Sequence, residues 1–543
     1  MTRSPTQASA RWILSAVVLG SGIVFLDGTI VNVALKKIGQ ELPATFVGAF
    51  EGQAYITSGY LAVLAALLIL AGALADRYGR RRIFAIGLAG FGITSALCGL
   101  APNMEAMILF RLLQGGAGAL LVPGSLSLIT ANFEGEARGR AFGIWAASTS
   151  ALTVLGPLVG GVLVDSLSWR IAFLVNVPLV LLALYATIRH VPESRDEEAP
   201  ASLDWLGSFV IALAIGGISF GLIRGQERQW SDGLAFGALG VGLVAAVIFP
   251  VLMLRRKNPL IPPDLFRRRN FTVINISTFL IYGALYVTLV MQSLFMQGVL
   301  GYTALGASAI GLPVGIMLSL GSTRVGTLAG RLGPRRFLII GPVLMAVAMA
   351  WYARTPVTSK PWQIDLAQPA TYLPPIDVFI DIFPAILLFG VGITLVVAPL
   401  TTALMNSIPV RNAGLGSAIN NAVSRVGQPL IMAILFIAIS ATFYSSISTH
   451  ITGLDTASSQ VRQEIQPLNP PKIQLPADQL ATVNQASTDA FHLAMLVNTL
   501  LLLAGAGVNA IGLKGGVPAK ASAEAGHESA SAASDAKGAE PAG

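Results

Sequence analysis

The sequence predicts an all-α polytopic membrane protein: two related six-helix halves with two further spans inserted between them. Three observations point there. The 543 residues are 54% hydrophobic and only 11% charged, whereas soluble proteins carry about 25% charged residues. Apolar runs close to the roughly 20 residues that a helix needs to cross a bilayer recur along the whole chain. A charged hairpin, Gly72-Ala73-Leu74-Ala75-Asp76-Arg77-Tyr78-Gly79-Arg80-Arg81-Arg82, returns 254 positions later as Gly326–Arg336, each time in a short link between two such runs.

Taken in order, fourteen spans are predicted, at about 12–34, 53–75, 83–101, 104–131, 139–164, 171–190, 204–223, 234–254, 271–297, 305–330, 335–353, 376–400, 412–444 and 488–513. They are numbered spans 1 to 14 below. The first run follows Arg3 and Arg11 but has no small-residue cleavage site, so it reads as an uncleaved span. With the N-terminus inside, 23 Lys and Arg fall on the inner side and 9 on the outer side. The remaining three of the 35, Arg111, Arg324 and Arg425, lie within spans. That bias supports an even number of spans with both termini in the cytoplasm, and the location expected for the multi-pass chain is the cytoplasmic (inner) membrane.

The links divide the chain further. Residues 1–11 are a cytoplasmic N-terminus, 12–190 an N-terminal six-span bundle, and 191–254 a linker with inserted spans 7 and 8. Residues 255–270 form a basic cytoplasmic loop and 271–513 a C-terminal six-span bundle. A proline-rich outside loop covers 354–375, and a polar outside loop covers 445–487, where Gln460–Ile465 and Ala477–Ala486 read as short surface helices. The tail 514–543 is Ala, Ser, Gly and Glu without an aromatic residue, a composition of disorder.

Composition also excludes functions. A net charge of +8 would suit nucleic acid, but the charges sit in the short links, so no nucleic-acid partner is expected. Cys98 is the only cysteine, and the four histidines lack ligand spacing, so neither an intrachain disulfide nor a metal site is expected. No nucleotide loop ends in Gly-Lys-Ser/Thr and no nucleophile–histidine set stands out, which argues against a polytopic membrane enzyme.

The halves echo one another beyond the hairpin. Gly116-x-Gly118 with Pro123 in span 4 matches Gly390-x-Gly392 with Pro399 in span 12. Gly156-Pro157 in span 5 matches Gly427-Gln428-Pro429 in span 13. Repeated halves with a site at their junction suit alternating access, in which one half rocks on the other.

Specific motifs then carry a family resemblance. Gly72-x-x-x-Asp76-Arg77-x-Gly79-Arg80-Arg81 resembles the loop 2–3 signature of the major facilitator superfamily. Leu26-Asp27-Gly28-Thr29-Ile30-Val31-Asn32-Val33-Ala34-Leu35 resembles the first-span motif of its fourteen-span drug:proton antiporter branch. Arg111-Leu112-Leu113-Gln114-Gly115-Gly116-Ala117-Gly118 resembles the fourth-span motif, and Gly156-Pro157-Leu158-Val159-Gly160-Gly161 is similar to the antiporter motif of span 5. Trp169–Pro178 is similar to the start of span 6 in that branch. The match is dense over 26–178 and weaker over 271–513. The resemblance implies the major facilitator fold, multidrug efflux driven by a proton gradient, and no other cofactor. A departure is Ala147, where a glycine often precedes Gly-Pro by nine positions.

Residue by residue, Asp27 is a carboxylate within a span, which is costly and by default functional. It stands sixteen residues after Arg11, about 24 Å of helix, and Arg111 stands eight after Asn103, about 12 Å in from the other side. In a core of about 30 Å both fall at similar depth, so a charge pair is expected. Arg111 does not deprotonate usefully and would hold the carboxylate in its charged form; the resemblance gives it a proton-coupling role. Gly72 and Asp76, spaced i, i+4, share a face where glycine would admit a neighbouring helix. The resemblance implies that Asp76, with Arg77, Gly79 and Arg80, latches onto the start of span 13 near Arg411 and Asn412. Arg81 and Arg82 read as topology anchors.

In the second half Gly330 stands where Asp76 does, and span 12 has no counterpart of Arg111, so proton coupling is expected in the first half. Arg425, about 21 Å into span 13, follows Asn420 and Asn421 on one helix. Candidates for the substrate cavity are Asn32, Gln114, Tyr286, Asn420, Asn421 and Arg425, with Tyr55, Tyr60, Trp145, Tyr282, Met291 and Met296 as apolar lining. The reading that results is a monomeric proton-coupled efflux antiporter of hydrophobic or amphiphilic, often cationic, small molecules. Two alternatives on the same fold are an exporter of one native lipid, siderophore or secreted metabolite, and a proton-coupled uptake symporter.

Overall fold

A computed structural model describes residues 7–195, 203–408 and 413–514. Among these, fourteen helices are long and apolar enough to cross a membrane, one for each predicted span. The spans are helical because the runs are rich in Ala and Leu with few prolines, and a bilayer leaves backbone groups no partner outside the helix. Span 14 differs from expectation. Ala477–Ala486 is not a separate surface helix but the first turns of one continuous helix, Ala477–Gly512. Every second or third residue there is small or apolar, so nothing interrupts the helix at its polar end. The other expected short helix is present as Ser459–Glu464.

The repeat seen in the sequence is a repeat of packing. In the first half span 1 packs on spans 4, 5 and 6, span 2 on span 4, and span 3 on spans 4 and 6. Adding eight to each number gives the contacts of the second half. The halves meet along two seams related by the same operation, span 2 on span 13 and span 5 on span 10. Spans 7 and 8 pack on each other through Gly217, Gly221 and Gly242, and span 7 lies on spans 2 and 13. The inserted pair therefore covers one of the seams.

The duplicated hairpin turns through glycine both times. Gly79 has φ +108° and Gly333 φ +82°, a left-handed region that side-chain-bearing residues avoid. Gly72 does not fit the expected close approach. A Cβ there would sit 3.8 Å from Pro123 Cβ, an ordinary contact, so the helices are far enough apart here for an alanine. Its counterpart Gly326 is tighter, 3.4 Å from Ala398 Cβ.

At the end of the bundle remote from the termini, polar groups join the halves. The Asp165 carboxylate, at the end of span 5, accepts from the backbone N–H of Ala304 (3.1 Å) and Leu305 (2.7 Å) at the start of span 10. Ser293 Oγ donates to Asn32 O at 2.7 Å, and Gln297 Nε2 to Val33 O at 3.1 Å. Gln53 and Asn469 exchange amide hydrogen bonds of 2.8 and 3.0 Å, and Gln466 Oε1 accepts from Phe50 N at 2.6 Å. The loop after span 13 is thus folded down onto span 2.

Candidate functional site

Asp27 lies midway along span 1 and is wholly buried. Span 4 starts where Asn103 Oδ1 accepts from Ala106 N at 2.8 Å, and two turns further in that helix presents Arg111 to span 1. Arg111 Nη1 donates to Asp27 Oδ2 at 2.6 Å, the pair expected from depth alone. The other carboxylate oxygen accepts from Gln114 Nε2 and from Asn176 Nδ2, both at 3.1 Å. Arg111 also donates to Gln114 Oε1 (2.7 Å) and to Ile56 O (3.3 Å), and its guanidinium stands 4.0 Å from the Tyr60 ring centroid. Each charge is therefore matched by a partner and by neutral polar groups, the condition under which a buried ion pair is tolerated.

Asn176 had no role in the sequence reading. Span 6 continues from Trp169–Leu174 into Asn176–His190 with helical backbone at Val175, and it presents this amide to Asp27. Asn176 Nδ2 is anchored in turn on Ser95 Oγ at 3.0 Å. The polar residue within the span 6 motif was the available signal.

A cavity of about 380 Å³ lies between the halves, with walls from both of them. Arg111 and Tyr60 form part of its wall, while Asp27 is behind Arg111. Asn32, Tyr286, Arg425 and Pro157 line it, as do Tyr60, Tyr282 and Met296. Three cavity candidates sit elsewhere. Gln114 is wholly buried in the Asp27–Arg111 network. Asn420 is turned one residue away from the cavity face and donates to Asn275 Oδ1 (3.2 Å) and Thr278 Oγ1 (2.9 Å) of span 9. Asn421 stays behind the wall and its Oδ1 accepts from Arg425 Nη1 at 3.0 Å. Tyr55, Trp145 and Met291 are likewise not among the lining residues.

The span 5 motif works as a set of close approaches. A Cβ on Gly156 would be 2.2 Å from Thr29 Oγ1, and one on Gly160 3.4 Å from Ile30, both on span 1. Gly161 faces the other half instead, where a Cβ would be 2.7 Å from Leu305 Cα and 2.9 Å from Leu305 N.

Around the hairpin, Asp76 Oδ1 accepts from Arg80 Nε (2.9 Å) and Nη2 (2.8 Å), and Arg77 stands 5.4 Å from the Tyr78 ring centroid. The expected partners of Asp76, Arg411 and Asn412, lie outside the described residues. Glu193, which no sequence motif marks, accepts from Arg81 N (3.0 Å) and Arg82 N (3.1 Å) at the start of span 3. Arg81 thus has a structural partner in addition to any role in topology.

A family model described as Major Facilitator Superfamily matches residues 17–432. The chain belongs to the major facilitator superfamily. It is a multi-pass membrane transporter, and the enzyme alternative falls away with that assignment. The multidrug resistance protein Stp of Mycobacterium tuberculosis is 30% identical over 439 residues, 81% of this chain and 77% of that protein. The tetracenomycin C resistance and export protein of Streptomyces glaucescens is 32% identical over 422 residues, 78% of this chain and 74% of that protein. Among solved structures, a bacterial homologue of the human lysosomal transporter Spinster, inward-facing and unoccupied, superposes with a TM-score of 0.62 at 17% identity. That match covers 93% of this chain and 97% of the other, and it speaks to the fold.

Proposed function

We propose that this major facilitator protein is a proton-coupled efflux antiporter for hydrophobic or amphiphilic small molecules. It is set in the cytoplasmic membrane with both termini inside and draws on the proton gradient alone. The observation that carries this reading is the buried Asp27–Arg111 pair placed against the wall of the cavity between the halves. Protonating the Asp27 carboxylate would remove the charge that draws the Arg111 guanidinium to it and so loosen the pair. Arg111 then keeps Gln114 Oε1, Ile56 O and the Tyr60 ring. Because Arg111 and Tyr60 are also cavity wall, protonation reaches the substrate space without exposing Asp27. Switching between the two accessible states would break and remake the Asp165, Asn32 and Gln53 contacts at the outer end. The relatives' names, multidrug resistance and tetracenomycin C resistance and export, support outward transport of drug-like compounds.

The expected result for Asp27→Asn is a protein that reaches the membrane but whose export no longer responds to the proton gradient. Its basal flux should sit roughly tenfold or more below wild type, the scale of losing one hydrogen bond to a charged group. Dye efflux from energised cells, with and without a protonophore, reads this out. Retention of a full protonophore response in the variant would remove Asp27 from proton coupling.

A further inference from the structure

The cavity wall is unequal in charge. Among the described residues, no carboxylate lines it, whereas Arg111 and Arg425 both do. Arg111 is compensated by Asp27 from behind. Arg425 is 5% exposed, and its described partners are Asn421 O and Asn421 Oδ1, both 3.0 Å from Nη1, neither of them charged. None of the ion pairs among the described residues includes it. A buried guanidinium without a counter-charge is costly unless a ligand supplies one.

Two further unpartnered groups face the same space. Gln428, one helical turn beyond Arg425 on the same face, is wholly buried and lines the cavity, yet neither its Nε2 nor its Oε1 has a hydrogen-bond partner. The Tyr60 hydroxyl, on the facing half, lines the cavity and is also without a partner. It lies within electrostatic reach of both Arg111 and Arg425. Unsatisfied buried donors are rare in folded proteins and call for a partner. The rest of the wall is largely apolar, with Leu61, Leu289, Val314, Ile386 and Phe389 among the residues that would meet a hydrocarbon chain.

We propose that the cavity seats an amphiphile through its anionic head group (a carboxylate, phosphate or sulfate), held by the Arg425 guanidinium, the Gln428 amide N–H and the Tyr60 hydroxyl. The proposal rests on the reading of this cavity as the substrate site, and it reverses the charge preference that the sequence suggested. A cationic compound would need an accessible carboxylate, and the nearest, Asp27, is enclosed by Arg111, Gln114 and Asn176. Guanidinium, amide and hydroxyl donors on two facing helices together suit an anion with several oxygens. Proton and substrate then occupy separate places, and their coupling runs through the conformation rather than through one shared group.

The test is equilibrium binding of radiolabelled dodecyl sulfate to the full chain in phosphatidylcholine nanodiscs, with empty nanodiscs subtracted. Arg425→Gln should weaken binding by roughly tenfold or more, as for a hydrogen bond to a charged group, and Arg425→Lys should recover part of it. On the wild-type protein, dodecanoate and dioctanoyl phosphatidate should displace the probe while dodecyltrimethylammonium should not. Displacement by dodecanoate assigns the seat to free acids, and displacement by phosphatidate alone assigns it to lipid head groups. Displacement by dodecyltrimethylammonium as effective as by the anions, or unchanged affinity in a folded Arg425→Gln, overturns the proposal. The competition series needs no variant, so it decides the matter even where Arg425→Gln does not fold. Proton-driven dye export that persists without anion preference would sink this inference alone. Anion binding without proton-driven export would sink the antiport reading alone.

Discussion

Replacing Arg111 by glutamine is expected to destabilise the folded protein by about 3–5 kcal/mol, the usual consequence of removing one partner from a buried ion pair. Asp27 would keep Gln114 and Asn176 as donors, but both are neutral and neither stands closer than 3.1 Å. The double variant Asp27→Asn with Arg111→Gln should recover much of that loss, because no uncompensated charge is left behind. Thermal unfolding of the purified variants in one detergent measures both effects. A double variant as unstable as Arg111→Gln would show that the pair's packing, rather than its charge balance, holds spans 1 and 4 together.

The second large effect is expected at Gly161. Valine there would drive a side chain into the backbone of Leu305 and Ala304, at 2.7 and 3.0 Å from the Cβ alone. Backbone at the start of a helix cannot give way as a flexible side chain can. Overpacking of this kind costs about 1–3 kcal/mol, and it falls on the one arrangement that brings span 5 onto span 10. Spin labels at Leu167 and Leu366, both exposed, report the separation of the halves at that end. Gly161→Val should shift the distance distribution to longer values and abolish transport, with thermal stability close to wild type. An unchanged distribution would mean that the Asp165 contacts close this end without the glycine.

How much of this was legible in the sequence follows from what each signal depends on. Fourteen spans and two halves were readable because membrane helices announce themselves by length and apolarity, and because a repeated hairpin survives in residues as distinctive as Gly79 and Gly333. The Asp27–Arg111 pair was readable because 1.5 Å of rise per residue turns position into depth. Rotation about the helix axis was harder. One residue, about 100° of turn, separates Asn420 facing span 9 from Asn421 behind Arg425, and nothing in the sequence fixes that phase. Gln114 shares the face of Arg111 but is drawn behind the wall by Asp27. Asn176 was hidden because its role depends on which face of span 6 turns toward Asp27, and Gln428 because it sits inside Gly427-Gln428-Pro429, which reads as backbone punctuation. Gly72 misled in the opposite direction, since its neighbour Pro123 leaves room for a methyl group in this conformation.

Coupling itself is tested most directly by flux in liposomes. Wild-type protein is reconstituted into vesicles preloaded with a panel of permanently charged probes, dodecyl sulfate and ethidium among them, with the membrane potential clamped by potassium and valinomycin. The external side is then acidified and efflux is followed. Antiport through Asp27 requires that the inward proton gradient accelerate probe efflux and that Asp27→Asn vesicles show no acceleration. Efflux slowed by the same gradient, or acceleration that persists in Asp27→Asn, would contradict it.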